Sequence, residues 1–100
     1  MIGVSQEAGL WVVTLRRPEK ANSLTRAMLE ELVALTDAAG QDGAKALILT
    51  GEGRVFSAGA DLDEARAGLA TDSVWERLSG ALAALPCLTI AALNGTLALL

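Results

Sequence analysis

The sequence predicts an α/β fold with a largely parallel sheet, and three observations predict it. Short β-rich or continuous apolar runs alternate with stretches whose apolar residues recur at three- and four-residue steps. The chain is 52% hydrophobic but only 3% aromatic, so its apolar mass is Ala, Leu and Val, the composition of buried α/β layers. Strands alternating with helices imply crossover connections and parallel pairing, which places a ligand beyond the carboxyl ends of the strands.

Ile2 to Ser5 and Leu10 to Leu15 read as short strands joined by the turn Gln6-Glu7-Ala8-Gly9, an antiparallel opening. After the polar loop Arg16 to Ser23, the residues Met28, Leu29, Leu32, Val33, Leu35 and Ala39 carry a helical period. Thr25 to Ala39 is therefore an amphipathic helix, stopped by Gly40 and Gly43. Ala46 to Leu49 is a continuous apolar strand of the kind buried on both faces of a sheet. Asp61 to Ala67 reads as the first turns of a helix with acids at its N-terminal end. Ser73-Val74-Trp75-Glu76 has the spacing of a capping box, and the helix it starts runs to about Leu85, where Pro86 ends it. Leu88 to Leu93 reads as a second buried strand that breaks at Asn94-Gly95. The order is hairpin, helix, strand, helix, strand, and Leu49-Thr50 and Leu93-Asn94 are the strand ends where a ligand is expected.

Composition excludes several function classes. One hundred residues suit one small domain or part of a larger one, burying about 60–65% of the unfolded chain's surface. The formal charge of -4 leaves no basic stripe for a nucleic acid. Histidine is absent, which removes Ser-His and Cys-His dyads and zinc held by His or Cys. Gly51-Glu52-Gly53 follows a strand, yet Phe56 stands where a dinucleotide fingerprint needs glycine, and no phosphate-loop lysine follows. Asp61, Asp63 and Glu64 lack the glycine and distal glutamate of a calcium loop and read as helix-capping and solvated residues. Trp11 and Trp75 read as packing residues, and Cys87 as a buried, inert thiol in a reducing compartment. The uncharged run Ala81 to Leu100 is long enough to span a bilayer, but Pro86, Asn94-Gly95 and the lack of a following Lys or Arg argue against a span.

Leu47 to Asp63 is the most informative stretch. An apolar strand breaks into Gly51-Glu52-Gly53-Arg54-Val55-Phe56-Ser57-Ala58-Gly59-Ala60-Asp61, where only small side chains surround Gly59 and the backbone can approach a ligand closely. With a helix beginning just beyond, the Gly59-Ala60 peptides form a cradle for a carbonyl oxygen acquiring charge, or else a tight strand-to-helix turn.

Three segments together resemble the enoyl-CoA hydratase/isomerase, or crotonase, family: Leu15-Arg16-Arg17-Pro18-Glu19-Lys20-Ala21-Asn22-Ser23-Leu24, the run from Leu47 through Ser57-Ala58-Gly59-Ala60-Asp61-Leu62, and Leu85-Pro86 through Ile90-Ala91-Ala92-Leu93-Asn94-Gly95. The resemblance implies a crotonase-like spiral of ββα units, with residues 1–100 the N-terminal part of a single, longer domain that assembles as a homotrimer or hexamer in the cytoplasm. It implies an acyl-CoA thioester as substrate, coenzyme A being part of that substrate, with no separate cofactor and no metal. The Ala60 N–H matches the first oxyanion donor. Ala58 matches the position whose carbonyl meets the CoA adenine, and Lys20, Ala21 and Ser23 match the loop lining the CoA site. Gly59, Asp61 and Leu62 complete the matched substrate-binding stretch. Lys20 or Arg17 reaches the CoA phosphates, or else both lie in a solvated loop. The sequence departs from the family at Thr96-Leu97-Ala98-Leu99-Leu100, where Leu100 stands at the glycine that supplies the second donor. The family's usual carboxylates match positions farther on than Leu100. Three functional readings follow: part of a lyase or isomerase of this type, inactive as these 100 residues alone; a non-catalytic acyl-CoA binding or assembly module; and a membrane-tethered scaffold using Ala81 to Leu100.

Overall fold

A computed structural model of the chain describes residues 1–97, with side chains through Gly95. Strands β1 (Ile2–Glu7) and β2 (Leu10–Leu15) form the antiparallel opening. The turn is tighter than the sequence reading. Gln6 and Glu7 belong to β1, and only Ala8 and Gly9 turn the chain, both at positive φ (52 and 84°), the two-residue geometry whose twist suits a hairpin.

Helix α1 (Arg26–Gln41) is capped by Thr25, whose hydroxyl accepts from the Met28 N–H at 3.1 Å. The helix runs through Gly40 and ends two residues later than the sequence suggested, because one glycine weakens a helix without breaking its hydrogen-bond ladder. Strand β3 (Ala46–Gly51) pairs in parallel with β2 and with β5 (Leu88–Ala91), giving the order β1-β2-β3-β5. Between β3 and β5 lie β4 (Val55–Ser57), α2 (Leu62–Arg66) and α3 (Val74–Ala84). Strand β4 pairs in parallel with β6 (Thr96–Leu97) in a separate small sheet that the sequence reading lacked.

The core lies between one face of the main sheet and the helices. Trp11, Val13 and Leu15 of β2 and Leu47 of β3 pack with Met28, Leu29, Leu32 and Ala39 of α1, and Leu69 and Val74 close the cluster. Helix α3 lies along α1, and Arg77 forms a two-pronged ion pair with Glu30 across the seam. The opposite sheet face has no helix over it among the described residues. Strand β5 corrects the reading of Leu88 to Leu93 as buried: it ends at Ala91, and all four of its residues are exposed. A continuous apolar run signals two buried faces only when something covers both. The capping box at Ser73 is likewise absent. Ser73 stands just before α3 and its side chain caps nothing, while Asp72 accepts from the Val74 N–H at 2.8 Å.

Candidate functional site

Parallel strands β2, β3 and β5 deliver their carboxyl ends to one edge of the sheet, and the loops leaving them are tied together there. Asn22 is the knot. It is fully buried, its backbone is left-handed (φ 52°), and its side chain uses both ends: Oδ1 accepts from the Arg17 N–H at 2.8 Å, and Nδ2 donates to the carbonyls of Glu52 and Val55 at 2.9 and 2.8 Å. Asparagine tolerates this backbone region better than most side chains, and its amide joins the loop after β2 to the turn after β3. Gly51 is required where the two meet, since a Cβ there would lie 2.7 Å from the Phe56 carbonyl and 2.9 Å from the Asn22 amide. From the third loop, Asn94 donates to the Gly53 carbonyl at 2.7 Å.

The segment Ser57 to Asp61 crosses this edge. Its backbone donors are committed one by one: Ala58 N–H to the Ala21 carbonyl (2.9 Å), Gly59 N–H to the Ser57 hydroxyl (3.1 Å), and Asp61 N–H to the Leu24 carbonyl (2.8 Å). Leu24 returns the bond by donating to the Gly59 carbonyl at 2.7 Å, and Gly59 holds a φ of 87° that a side chain rarely adopts. The Ala60 N–H, by contrast, has no acceptor among the described residues, although Ala60 is only 5% exposed. An unpaired N–H in so buried a residue is rare, and here it belongs to the wall of a cleft.

Helix α2 contributes less than the sequence suggested. It has five residues, and its cap, Asp61, spends Oδ1 on the Glu64 N–H at 3.1 Å. The other carboxylate oxygen of Asp61 receives the Arg17 guanidinium at 3.1 Å. The same Arg17 nitrogen reaches the Ser23 hydroxyl and carbonyl at 3.0 and 3.1 Å. Asp61 is thus an ion-paired cap and not a solvated acid. The Glu64 N–H, then Arg17, hold its carboxyl below the usual aspartate range. Arg17 is clamped between two walls, whereas Lys20 is exposed on a single 3-10 turn (Pro18–Lys20).

A cleft of about 1180 Å³ opens along this edge. Lys20, Ser23, Ala58, Gly59, Ala60, Asp61 and Leu62 all line it; Ala21 does not, and acts through its carbonyl bond to Ala58. Leu62 is 71% exposed, at the mouth. The inner wall is apolar, with Leu24, Leu32, Leu49 and Phe56, and Trp75 and Leu78 of α3 extend it. Trp75 therefore does more than pack: its indole N–H donates to the Leu69 carbonyl at 2.8 Å while the side chain faces the cleft. No spacing along the sequence links α3 to this edge. Asn22 left one usable signal, an asparagine in a polar loop where a left-handed turn is needed. Leu100, the position matching the second donor, lies outside the described residues. No group of His, Cys, Asp and Glu among the described residues suits a metal ion, and no described helix is long and apolar enough to cross a membrane.

A family model described as enoyl-CoA hydratase/isomerase matches residues 5–98. The chain is 40% identical to the probable enoyl-CoA hydratase echA6 of Mycobacterium bovis over 96 residues, which are 95% of this chain and 39% of that protein. Among solved structures, PA4980 of Pseudomonas aeruginosa superposes with a TM-score of 0.83 at 38% identity, covering 94% of this chain and 44% of that one. Enoyl-CoA hydratase EchA8_6 of Mycobacterium marinum superposes with a TM-score of 0.82 at 32% identity, covering 94% and 48%. The chain spans about two fifths of the length of the curated relative.

Proposed function

The chain belongs to the enoyl-CoA hydratase/isomerase family, and from that premise we propose that its cleft binds an acyl-CoA thioester and that the Ala60 N–H stabilises the thioester oxygen as it becomes enolate-like. The observation that carries this reading is an uncommitted donor in a buried residue: among the described residues the N–H groups of Gly59 and Asp61 on either side are spent on the protein, and that of Ala60 is not. A fixed donor costs no reorganisation when charge develops, which is where such a group gains its effect. Gly59 lacks a Cβ, so the thioester can approach the backbone. The apolar inner wall suits an acyl chain, Lys20 at the mouth suits a phosphate, and the Ala58 carbonyl suits the adenine amino group. In this reading residues 1–100 are one part of a single crotonase-like domain. The whole protein is a lyase or isomerase acting in the cytoplasm as a homotrimer or hexamer, and its proton-transferring groups lie outside these residues.

The state of Asp61 favours a second reading. The carboxylate adjoining Ala60 is held ionised by a cap and an arginine, so it is a poor proton carrier near neutral pH. With Asp61 unsuited to proton transfer, the chain would be an acyl-CoA binding or assembly module without turnover. The test uses the full-length product of the natural gene with 2-butenoyl-CoA. Under the first reading it turns over, and Ala60→Pro, which deletes the donor, lowers kcat by about 100-fold or more with CoA binding retained, while Ala60→Gly keeps the activity. Unchanged kcat in Ala60→Pro would overturn the oxyanion role. Stoichiometric binding without turnover by the unaltered protein would establish the second reading.

A further inference from the structure

We infer that the Ser57 hydroxyl is a positioning residue for the Ala60 donor, an inference that rests on the oxyanion role proposed above. Ser57 is 3% exposed at the end of β4. Its hydroxyl is used in both directions: it donates to the Asn22 carbonyl at 2.9 Å and accepts from the Gly59 N–H at 3.1 Å. With donor and acceptor capacity both engaged, and no histidine in the chain, it is unsuited to act as a nucleophile.

The geometry around Gly59 gives these bonds their consequence. The Gly59–Ala60 peptide is planar, so the Ala60 N–H points opposite to the Gly59 carbonyl, and the Leu24 N–H holds that carbonyl at 2.7 Å. The preceding peptide, Ala58–Gly59, carries the N–H that Ser57 binds. Gly59, with its φ of 87°, is the joint between the two peptides and has the widest torsional freedom of any residue. Leu24 fixes one side of the joint through its backbone, and among the described residues Ser57 is the only side chain that fixes the other. The hydroxyl is itself anchored on Asn22, whose backbone N–H donates to the Arg17 carbonyl at 2.8 Å and whose amide ties the neighbouring loops. Orientation thus passes from the buried asparagine through the serine to the glycine joint and on to the donor. Removing the hydroxyl leaves the cleft and its other donors in place but frees the joint, and a displaced donor loses much of its effect.

The experiment uses the full-length gene product with butanoyl-CoA carrying ¹³C at the thioester carbonyl, and reads the infrared carbonyl frequency of the bound ligand beside its Kd. In the unaltered protein the carbonyl shifts to lower frequency on binding, as a hydrogen-bonded thioester does. Ser57→Ala is expected to lose about half of that shift or more while Kd stays nearly constant, and to lower kcat for 2-butenoyl-CoA by about tenfold at unchanged KM. Ser57→Thr, which keeps the hydroxyl, restores both. A full shift and full kcat in Ser57→Ala would overturn the inference and leave the oxyanion role standing. Absence of any shift in the unaltered protein would overturn both. Loss of Kd and shift together in Ser57→Ala, with Ser57→Thr failing to restore them, would make Ser57 a residue of the fold and equally overturn the inference.

Discussion

Asp61 shows how one side chain can join two walls of a cleft. Its carboxylate caps α2 through the Glu64 N–H and pairs with Arg17, which in turn holds Ser23, so the loop after β2 and the turn after β4 meet on one charge. Both partners favour the ionised form, and the pKa lies below the ordinary value of 3.8. A carboxyl whose pKa is depressed by folding contributes stability that is complete above its unfolded pKa. That contribution is lost as the pH falls through the folded value. The thermal midpoint of the unaltered chain should therefore exceed that of Asp61→Asn by a constant margin at pH values above 3.8, with the margin shrinking only below it. Asparagine can still cap a helix, so the comparison isolates the charge. Scanning calorimetry of the two chains from neutral pH into strong acid reads this directly, and a margin that did not change with acid would assign the role of Asp61 to shape alone.

At the level of elements, the side chain that caps α3 is that of Asp72 and not that of Ser73. Asp72 accepts from the Val74 N–H and also pairs with Arg26 at the start of α1. Asp72→Ala should lower stability by about 1 kcal/mol or somewhat more, whereas Ser73→Ala should stay within about 0.5 kcal/mol of the unaltered chain. Urea unfolding of both variants checks the pair, and the reverse ranking would return the cap to serine. The sequence offers two capping residues in a row, and its local pattern cannot say which one turns its oxygen onto the helix. The same limit governs the rest of the fold. Helix α1 was legible because Met28, Leu29 and Leu32 repeat on one face, α3 through the Ser73-to-Glu76 spacing and the stop at Pro86, and the hairpin and β3 as short apolar runs. Strand β4 was not, since three residues carry no period and its partner β6 lies some forty positions away. At the site, the Ser57 to Leu62 stretch was legible through its small residues. The tie from Asn22 to Glu52 and Val55 was not, because long-range hydrogen bonds leave no spacing to read.

At the scale of the whole chain, helices cover the main sheet on one side only among the described residues. The chain measures 38 × 28 × 19 Å, and its thinnest dimension accommodates a sheet and one layer of helices, whereas a further layer would add about 10 Å. Strand pairing lines up Leu10, Ala46 and Leu88 in one row of the uncovered face and Val12, Ile48 and Ile90 in the next. Leu88 is 63% exposed and Ile90 39%, and Leu93 just beyond β5 is 56% exposed. Among the described residues strand β5 is also an edge, with its outer backbone groups unpaired in the main sheet and none of the charged residues that blunt such edges in monomeric proteins. A charge of -4 spread over 100 residues is modest repulsion to set against two apolar rows and an open edge. The 100-residue chain purified alone should therefore self-associate, with an average mass by light scattering that rises with concentration. Replacing Leu88 and Ile90 by Lys should lower that mass with helix content unchanged, because both side chains lie outside the core that α1 closes. A monodisperse monomer at all concentrations would mean that the uncovered face is not a driving surface, and that the apolar rows are tolerated in water as they stand.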